Sequence, residues 1–231
     1  EIYYKYAGEL IKKNSAYVCT CSSEEFKKFS DSKKDCPCRK KSVKENLNDW
    51  KKMLSKGKGN FKEGEAVLRF KSGMQNKNPA FRDFPLARIN LTKHPLQKKR
   101  YRVWPLMNLA VSVDDIEMKM THIIRGKDHR DNAERQKMIY KVLGKKYPWS
   151  AFMGRINFKD LELSKTKIRE GIESGKYSGW DDERVPTIAS LKKQKYKPES
   201  IINLAEHMGL SENDKVLEKK DFFELLDNFN K

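Results

Sequence analysis

Four cysteines constrain the fold of this chain more than any other feature, because all four lie in one short stretch. They form two close pairs, Cys19-x-Cys21 and Cys36-x-Cys38, with fourteen residues between the pairs. Four thiolates can surround a zinc ion tetrahedrally, and a loop-rich segment with little core gains folding free energy from such a site. Neighbouring Cys-x-Cys thiols are too close for easy mutual bridging. We therefore expect a structural zinc site, with free buried cysteines as the alternative.

The charge of the chain favours a polyanionic partner. Its 231 residues include 50 Lys and Arg against 32 Asp and Glu, a formal net charge of +18. Such an excess attracts a polynucleotide, and it would also attract a membrane surface. However, no stretch approaches the roughly 18 consecutive apolar residues of a spanning helix, and the amino end lacks a signal-peptide core. We expect a soluble, cytoplasmic protein without a membrane partner.

The first hundred residues contain the signals of a small mixed α/β module with one basic flank. A capping box at Ser42 starts a helix with apolar residues at helical spacing, and Gly57 is expected to end it. A basic linker follows over residues 56–60. Residues 66–71 and 86–91 have the composition of strands, separated by a stretch rich in Gly, Asn and Pro.

A cluster of polar residues closes a short apolar strand in the middle of the chain. Residues 121–129 read Thr-His-Ile-Ile-Arg-Gly-Lys-Asp-His, and a helix is expected over about 132–143. Ligands in open α/β sheets collect at such strand-to-helix crossings. An arginine can hold a carboxylate in a fork, and a histidine can hydrogen-bond a nucleotide. Arg125, Asp128 and His129 are therefore candidate ligand-binding residues.

A Ser-Lys pair opens the third informative segment. Residues 163–166 read Leu-Ser-Lys-Thr, and a polar turn over 179–186 precedes another basic helix. A loop lysine such as Lys165 can act as an electrostatic clamp on phosphates. The alternative is structural: Ser164 caps a helix that runs from Lys165 to about Ser174.

Several motifs occur in the order found in one known family. They are residues 7–18, Arg82-Asp83-Phe84-Pro85, Trp104-Pro105, Asp114-Asp115, residues 121–129 with Asn132, residues 163–166 and Gly179-Trp180-Asp181-Asp182. By these motifs the chain resembles glutamyl-tRNA synthetases of the archaeal type, which are class I aminoacyl-tRNA synthetases. The resemblance covers essentially the whole chain. Because the chain begins at Glu1 and lacks the family's first signature, we expect an internal fragment of a longer protein.

The resemblance implies an α/β fold in three parts. Residues 1–103 look like an inserted, zinc-containing α/β domain that binds the tRNA acceptor stem. Residues 104–162 look like the second half of a class I Rossmann catalytic domain, and residues 163–231 look like the KMSKS-type loop with a helical stem-contact region. The HIGH-type motif and the anticodon-binding domain are missing, so we expect the fragment alone to be inactive.

The resemblance also implies the chemistry and its residues. The family ligates glutamate to tRNA through a glutamyl-adenylate, so the implied partners are glutamate, ATP with Mg²⁺ and tRNA(Glu), with tRNA(Gln) left open, and Zn²⁺ is structural. Ser164 and Lys165 are the implied catalytic residues; Lys165 is the matched phosphate contact because the loop lacks the family's leading lysine. Arg125, Asp128, His129 and Asn108 are implied for the amino acid and ATP, Trp180, Asp181, Asp182 and Arg82 for tRNA, and Cys19, Cys21, Cys36 and Cys38 for the metal. Asn108 is the least direct of these, since neighbouring Met107 and Val111 stand where bacterial relatives carry polar side chains.

Three alternatives remain open at this stage. A glutaminyl-tRNA synthetase shares the architecture, but the guanidinium of Arg125 suits a carboxylate better than a neutral amide. A non-catalytic paralogue could bind tRNA through the basic insertion and the turn that contains Trp180. A zinc-stabilised ribosomal or assembly protein fits the charge and the cysteines but leaves the cluster over residues 121–132 unexplained.

Overall fold

The computed structural model describes residues 1–231, which form two compact units. The first unit contains Glu1–Ile123 and Asp128–Trp149, and the second contains Ile124–Lys127 and Ser150–Lys231. The α/β class expected from the sequence is confirmed. The three-part division at residues 103 and 162 stays a prediction. No helix is both long enough and apolar enough to cross a bilayer.

The first unit is built on a four-stranded antiparallel sheet. Its strands are β1 (Ala16–Cys19), β2 (Val67–Phe70), β3 (Pro85–Ile89) and β4 (Val103–Pro105), in the spatial order β1-β2-β3-β4. β2 and β3 lie within the two stretches predicted as strands, except that β3 begins one residue earlier. Since a Rossmann sheet is parallel, this sheet does not by itself establish the Rossmann half, which stays an expectation.

Five α-helices accompany this sheet. They are α1 (Ile2–Lys12), α2 (Ser23–Asp31), α3 (Val43–Leu54), α4 (Met107–Glu117) and α5 (Arg130–Leu143). The capping box at Ser42 is confirmed, since its side chain accepts a hydrogen bond from the Glu45 backbone N–H and the Glu45 carboxylate accepts one from the Ser42 backbone N–H. The predicted end of α3 at Gly57 is wrong: the helix ends at Leu54, and Ser55 is already extended with ψ of 150°.

Two hydrophobic clusters fill the first unit. The larger one joins α1, α3, α4 and α5 to the sheet, with Leu10, Leu68 and Leu86 fully buried. The smaller one contains Tyr17, Phe26, Met74 and three of the cysteines. Burying one leucine side chain stabilises a fold by about 1.5–3 kcal/mol. The many buried side chains of the larger cluster therefore hold the four helices against the sheet. The smaller cluster lies around the end of β1.

The second unit is mainly helical. Its helices are α6 (Lys165–Glu173), α7 (Ile188–Lys193), α8 (Pro198–Met208) and α9 (Lys219–Phe229). Leu191, Leu204 and Leu226 form its core. The last two strands of the chain, β7 (Ile156–Phe158) and β8 (Lys215–Leu217), pair in parallel.

A further two-stranded sheet lies where the chain passes between the units. It consists of β5 (His122–Gly126) and β6 (Trp149–Met153). The predicted apolar strand is therefore confirmed as β5. The predicted helix after it is confirmed as α5, which begins two residues earlier than expected and ends at Gly144, where a left-handed φ of 68° favours glycine.

Candidate functional site

The four cysteines form one cluster in the first unit. Cys19 ends β1 and Cys21 follows it, while Cys36 and Cys38 lie at a short 3₁₀ turn. The Cys19 and Cys36 sulfurs are 3.9 Å apart, the Cys21 and Cys38 sulfurs are 3.8 Å apart, and all four lie within 4.8 Å of one another. Tetrahedral zinc with Zn–S bonds of about 2.3 Å separates its sulfurs by about 3.8 Å. The donor set and spacing are thus compatible with zinc in a closed, structural site.

The thiols of this cluster do not have equal acidity. The hydrogen bond from Cys19 lowers the pKa of Cys36 to about 5, and the same contact raises the pKa of Cys19. The Thr20 backbone N–H also donates to the Cys38 sulfur at 3.4 Å. Hydrogen bonds of this kind favour thiolate, which is the form that ligates a metal.

A buried carboxylate lies beside the cysteine cluster. Asp83 is fully buried and accepts hydrogen bonds from Tyr17 Oη at 3.0 Å, Arg39 Nε at 2.7 Å and the backbone N–H groups of Ser72 and Gly73 at 3.0 and 3.1 Å. A buried charge is tolerated when it is paired and hydrogen-bonded in this way. The sequence did not predict that this residue lies beside the cysteine cluster, although it belongs to the motif that begins with Arg82.

Arg82 itself faces the interior of the first unit. Its guanidinium donates to the backbone carbonyls of Asn76, Ser30 and Lys77 at 2.8, 2.9 and 3.0 Å, and the residue is 8% exposed. These bonds satisfy two loop carbonyls and one carbonyl in the last turn of α2, where helix carbonyls lack partners within the helix. The tRNA contact implied for Arg82 stays a prediction, and the structure gives the side chain a clear structural use.

The polar cluster that begins in the last residues of β5 is divided between the two units. Arg125 is a half-buried residue of β5 in the second unit, whereas Asp128 and His129 lie in the first unit at the start of α5. His129 Nδ1 is 3.2 Å from the Asn132 side-chain amide. Within the second unit, Lys127 pairs with Asp214 at 2.8 Å. The roles implied for Arg125, Asp128 and His129 stay predictions.

Asn108 lies inside the first unit near the start of α4. It is 7% exposed, and its side-chain oxygen accepts a hydrogen bond at 3.3 Å from Gln136 of α5. Met107, immediately before it, is exposed. The amide thus has a partner in the neighbouring helix, and its implied contact with an amino acid stays a prediction.

Ser164 caps α6, as the structural alternative predicted. Its side chain accepts a hydrogen bond from the Lys167 backbone at 3.4 Å, and its own N–H donates to Glu162 at 2.9 Å. The helix ends at Glu173, one residue before the predicted end. Lys165 is the first residue of α6 and is exposed. The cap fixes where the Lys165 side chain leaves the helix, so the capping and phosphate-binding interpretations are compatible.

Lys165 lines a cavity of about 330 Å³ in the second unit. The other lining residues are Leu163, Ile168, Trp180, Pro186 and Thr187. The Thr187 hydroxyl donates to the Trp180 carbonyl and joins two walls of this cavity. A cavity lined by both a lysine and an indole suits a ligand with an anionic group and a flat ring. The structure thus brings together Lys165 and Trp180, which the sequence analysis assigned to different partners.

The turn after Trp180 is organised by an internal ion pair. Asp182 is 6% exposed and accepts from Ser178 N–H at 2.9 Å and from Arg184 Nε and Nη2 at 2.8 and 2.6 Å. The Arg184 hydrogen bond holds the pKa of the Asp182 carboxyl well below its usual range. Asp181 is exposed and 3.4 Å from Lys193. The tRNA contacts implied for Asp181 and Asp182 stay predictions.

Comparison with known proteins identifies both the class and the family of this chain. The family described as tRNA synthetases class I (E and Q), catalytic domain, matches residues 1–228. The chain therefore consists of a class I aminoacyl-tRNA synthetase catalytic region. It belongs to the glutamyl and glutaminyl family of that class.

Individual relatives agree with this family. Glutamate–tRNA ligase of Pyrococcus horikoshii is 47% identical over 218 residues, covering 94% of this chain and 38% of the relative. The ligase of Methanobrevibacter smithii is 44% identical over 229 residues, covering 99% of this chain and 40% of the relative. The chain thus spans about two fifths of the length of these relatives. A crystal structure of a glutamate tRNA ligase from Elizabethkingia meningosepticum matches 88% of this chain and 42% of its own, with 20% identity and a TM-score of 0.46.

Proposed function

We propose that this chain is part of a cytoplasmic enzyme that ligates glutamate to tRNA(Glu) through a glutamyl-adenylate made from ATP. The observation that carries the proposal is the 44–47% identity to glutamate–tRNA ligases over nearly the whole chain. No finding supports tRNA(Gln) as a second acceptor, so the proposal is confined to tRNA(Glu). The chain spans only part of its relatives, and we propose that it needs the remaining regions for activity.

In this proposal Lys165 acts on the phosphates of ATP. Lys165 lines a cavity whose other walls include the aromatic side chain of Trp180, which could contact the nucleotide. Charge develops on phosphate oxygens as the glutamate carboxylate attacks the α-phosphate and pyrophosphate leaves, and a positioned cation stabilises that charge. Mg²⁺ bound with ATP would supply further positive charge to the same phosphates. Ser164 contributes by capping α6 and fixing the position of Lys165.

Glutamate recognition is assigned to the residues at the end of β5 and directly after it. The guanidinium of Arg125 can bind a carboxylate in two parallel hydrogen bonds, which a glutamine amide cannot match. Asp128, His129 and Asn108 are proposed as further contacts to the amino acid or to ATP. We assign Zn²⁺ to the four cysteines, where it is structural because four thiolates leave no open position.

The test is a charging assay with the intact enzyme that contains this chain. Glutamate should be esterified to tRNA(Glu), with no comparable charging of glutamine. Binding of tRNA without any charging by either amino acid would favour the non-catalytic paralogue. Charging with glutamine in preference to glutamate would favour the glutaminyl enzyme.

A further inference from the structure

Tyr177 connects α6 to the turn that contains Trp180, and neither the motifs nor the proposed function gives it a role. It is half-buried in the second unit and follows α6 in the chain. Gly175, with a left-handed φ of 76°, reverses the chain after the helix. The Tyr177 backbone N–H then donates to the Gly171 carbonyl at 3.0 Å, which brings the side chain of Tyr177 back to α6.

The Tyr177 ring packs on α6 at a position where only glycine fits. Gly171 is buried, and a Cβ atom at this position would lie 2.5 Å from two carbon atoms of the Tyr177 ring. Non-bonded carbon atoms pack at about 3.5–4.0 Å, so any larger residue would displace the ring. Glycine is a poorer helix former than alanine, and the close contact with the ring accounts for its place inside this helix.

Arg184 contacts the same ring from the turn. Its guanidinium lies 5.4 Å from the centroid of the Tyr177 ring, within the range of a cation–π interaction. The guanidinium also binds Asp182, whose carboxylate accepts hydrogen bonds from the backbone N–H and the hydroxyl of Ser178 at 2.9 and 3.1 Å. Tyr177 therefore joins the ion pair of the turn to the buried side of α6. We call Gly171, Tyr177 and Arg184 the tyrosine clamp.

The clamp is attached to both walls of the cavity of Lys165. Lys165, Ile168 and Gly171 follow one another at three-residue spacing along α6, and the first two line the cavity. Residues three apart are neighbours on a helix surface, so a displacement of α6 at Gly171 would move the cavity wall as well. Trp180 lines the cavity from the turn, which the Asp182–Arg184 ion pair organises.

We propose that Tyr177 is a positioning residue for adenylate formation: packed on Gly171 and bound by Arg184, it fixes Lys165 of α6 relative to Trp180. The inference rests on the proposed function, in which Lys165 acts on the phosphates of ATP. Tyr177 acts through Lys165, since it does not line the cavity itself. A displacement of about 1 Å in a catalytic group can slow a reaction by about 10²-fold, so a small shift of α6 is enough.

The test measures adenylate formation by the intact enzyme under single-turnover conditions. Tyr177→Leu should slow this step by about 10–100-fold, because the smaller side chain no longer fills the space between Gly171 and Arg184. Tyr177→Phe keeps the ring and should recover most of the rate. Tyr196→Leu is the control, since Tyr196 is another half-buried tyrosine of the second unit and packs beside Phe223 of α9. Thermal melting of each variant establishes that it is folded.

A combination with Lys165→Ala separates positioning from simple stabilisation. If Tyr177 acts through Lys165, Tyr177→Leu should change the rate by less than about twofold once the ammonium is gone, because the two substitutions remove one shared effect. If the clamp only kept the second unit folded, Tyr177→Leu would slow the reaction by the same factor whether or not Lys165 is present.

Gly171→Ala provides a second readout in which the ring is retained. The added methyl group should displace the ring and slow adenylate formation by about tenfold, although alanine favours the helix. Gly8→Ala is the matched control: Gly8 is also a helical glycine, in α1, and a Cβ atom there would meet no atom within 4 Å. It should leave the rate unchanged.

Two results would overturn the proposal. These are an equal effect of Tyr177→Leu with and without Lys165, or an enzyme with Gly171→Ala that is as fast as the original. An original enzyme that forms no adenylate with glutamate would instead contradict the proposed function. The clamp is then judged by amide hydrogen exchange in α6, where faster exchange in Tyr177→Leu than in Tyr196→Leu supports it and equal exchange contradicts it.

Discussion

The Tyr17 hydroxyl donates a hydrogen bond to the Asp83 carboxylate at 3.0 Å while its oxygen lies 3.5 Å from the Cys36 sulfur. Tyr17 belongs to β1, and Asp83 lies two residues before the start of β3. The pair therefore connects the cysteine cluster to the central sheet of the first unit. Partners that lie behind metal ligands orient those ligands and influence metal affinity.

Tyr17→Phe should destabilise the first unit by about 1–3 kcal/mol, because it removes one donor from a buried carboxylate. Chemical denaturation followed by fluorescence measures the change. Tyr101→Phe is the matched control, since its hydroxyl makes only an exposed contact with Glu1 at 3.3 Å. Its effect should stay within about 0.5 kcal/mol. If the two substitutions lowered the free energy of unfolding equally, the Tyr17–Asp83 hydrogen bond would not stabilise the first unit.

Protein purified without chelator should contain about one zinc ion per chain, because the four sulfurs form one tetrahedral set. Elemental analysis measures the content. Cys36→Ser should lose most of the metal and lower the melting temperature, since zinc binding to such sites stabilises folding. Finding no zinc in the original protein would remove the site.

Asp182→Asn should lower the melting temperature at neutral pH, because it disrupts the ion pair with Arg184 inside the turn. The pKa of Asp182 is depressed in the folded chain, so the stabilisation that its carboxylate gives the fold is fully present above the unfolded pKa of about 3.9. It is lost as the pH falls from there towards the folded pKa. The difference between the variant and the original chain should narrow below about pH 4. Asp181→Asn, which alters an exposed carboxylate, should show little effect at any pH. If the difference in melting temperature between Asp182→Asn and the original chain stayed the same at low pH, the stabilisation would not come from the Asp182–Arg184 ion pair.

Lys165→Ala in the intact enzyme should slow adenylate formation by about 10²–10³-fold, the range found when one group that stabilises developing charge is removed. Affinity for tRNA should stay nearly unchanged. Lys192→Ala, an exposed lysine of α7, is the control for loss of one positive charge in the same unit. Normal adenylate formation in Lys165→Ala would exclude the proposed phosphate role.

Local signals in the sequence predicted local structure well. The serine caps at Ser42 and Ser164, the left-handed Gly144 and the strand that contains Arg125 all depend on neighbouring residues. Each is present within about two residues of its expected place. The cysteine cluster was also predictable, because two close pairs in one short stretch have few ways to be arranged.

Hydrogen-bond partners that lie far apart in the chain could not be predicted from the sequence in this way. Asp83 bonds Tyr17 and Arg39 across 66 and 44 residues, so nothing in its own segment distinguishes it from a surface carboxylate. Arg82 and Asp182 were singled out because they belong to motifs of the resembled family. The motifs did not predict that both side chains are buried, because the burial depends on nearby loops that fold over them. Trp180 was assigned to tRNA because of its motif, whereas its place in the cavity of Lys165 depends on the packing of α6 beside the turn.

ATP–pyrophosphate exchange by the intact enzyme with tRNA present, comparing glutamate with glutamine, tests the proposed activity most directly. Exchange should depend on glutamate and be weak or absent with glutamine. Exchange with neither amino acid, in a preparation that still binds tRNA, would contradict the assignment of this chain to a glutamate-activating enzyme.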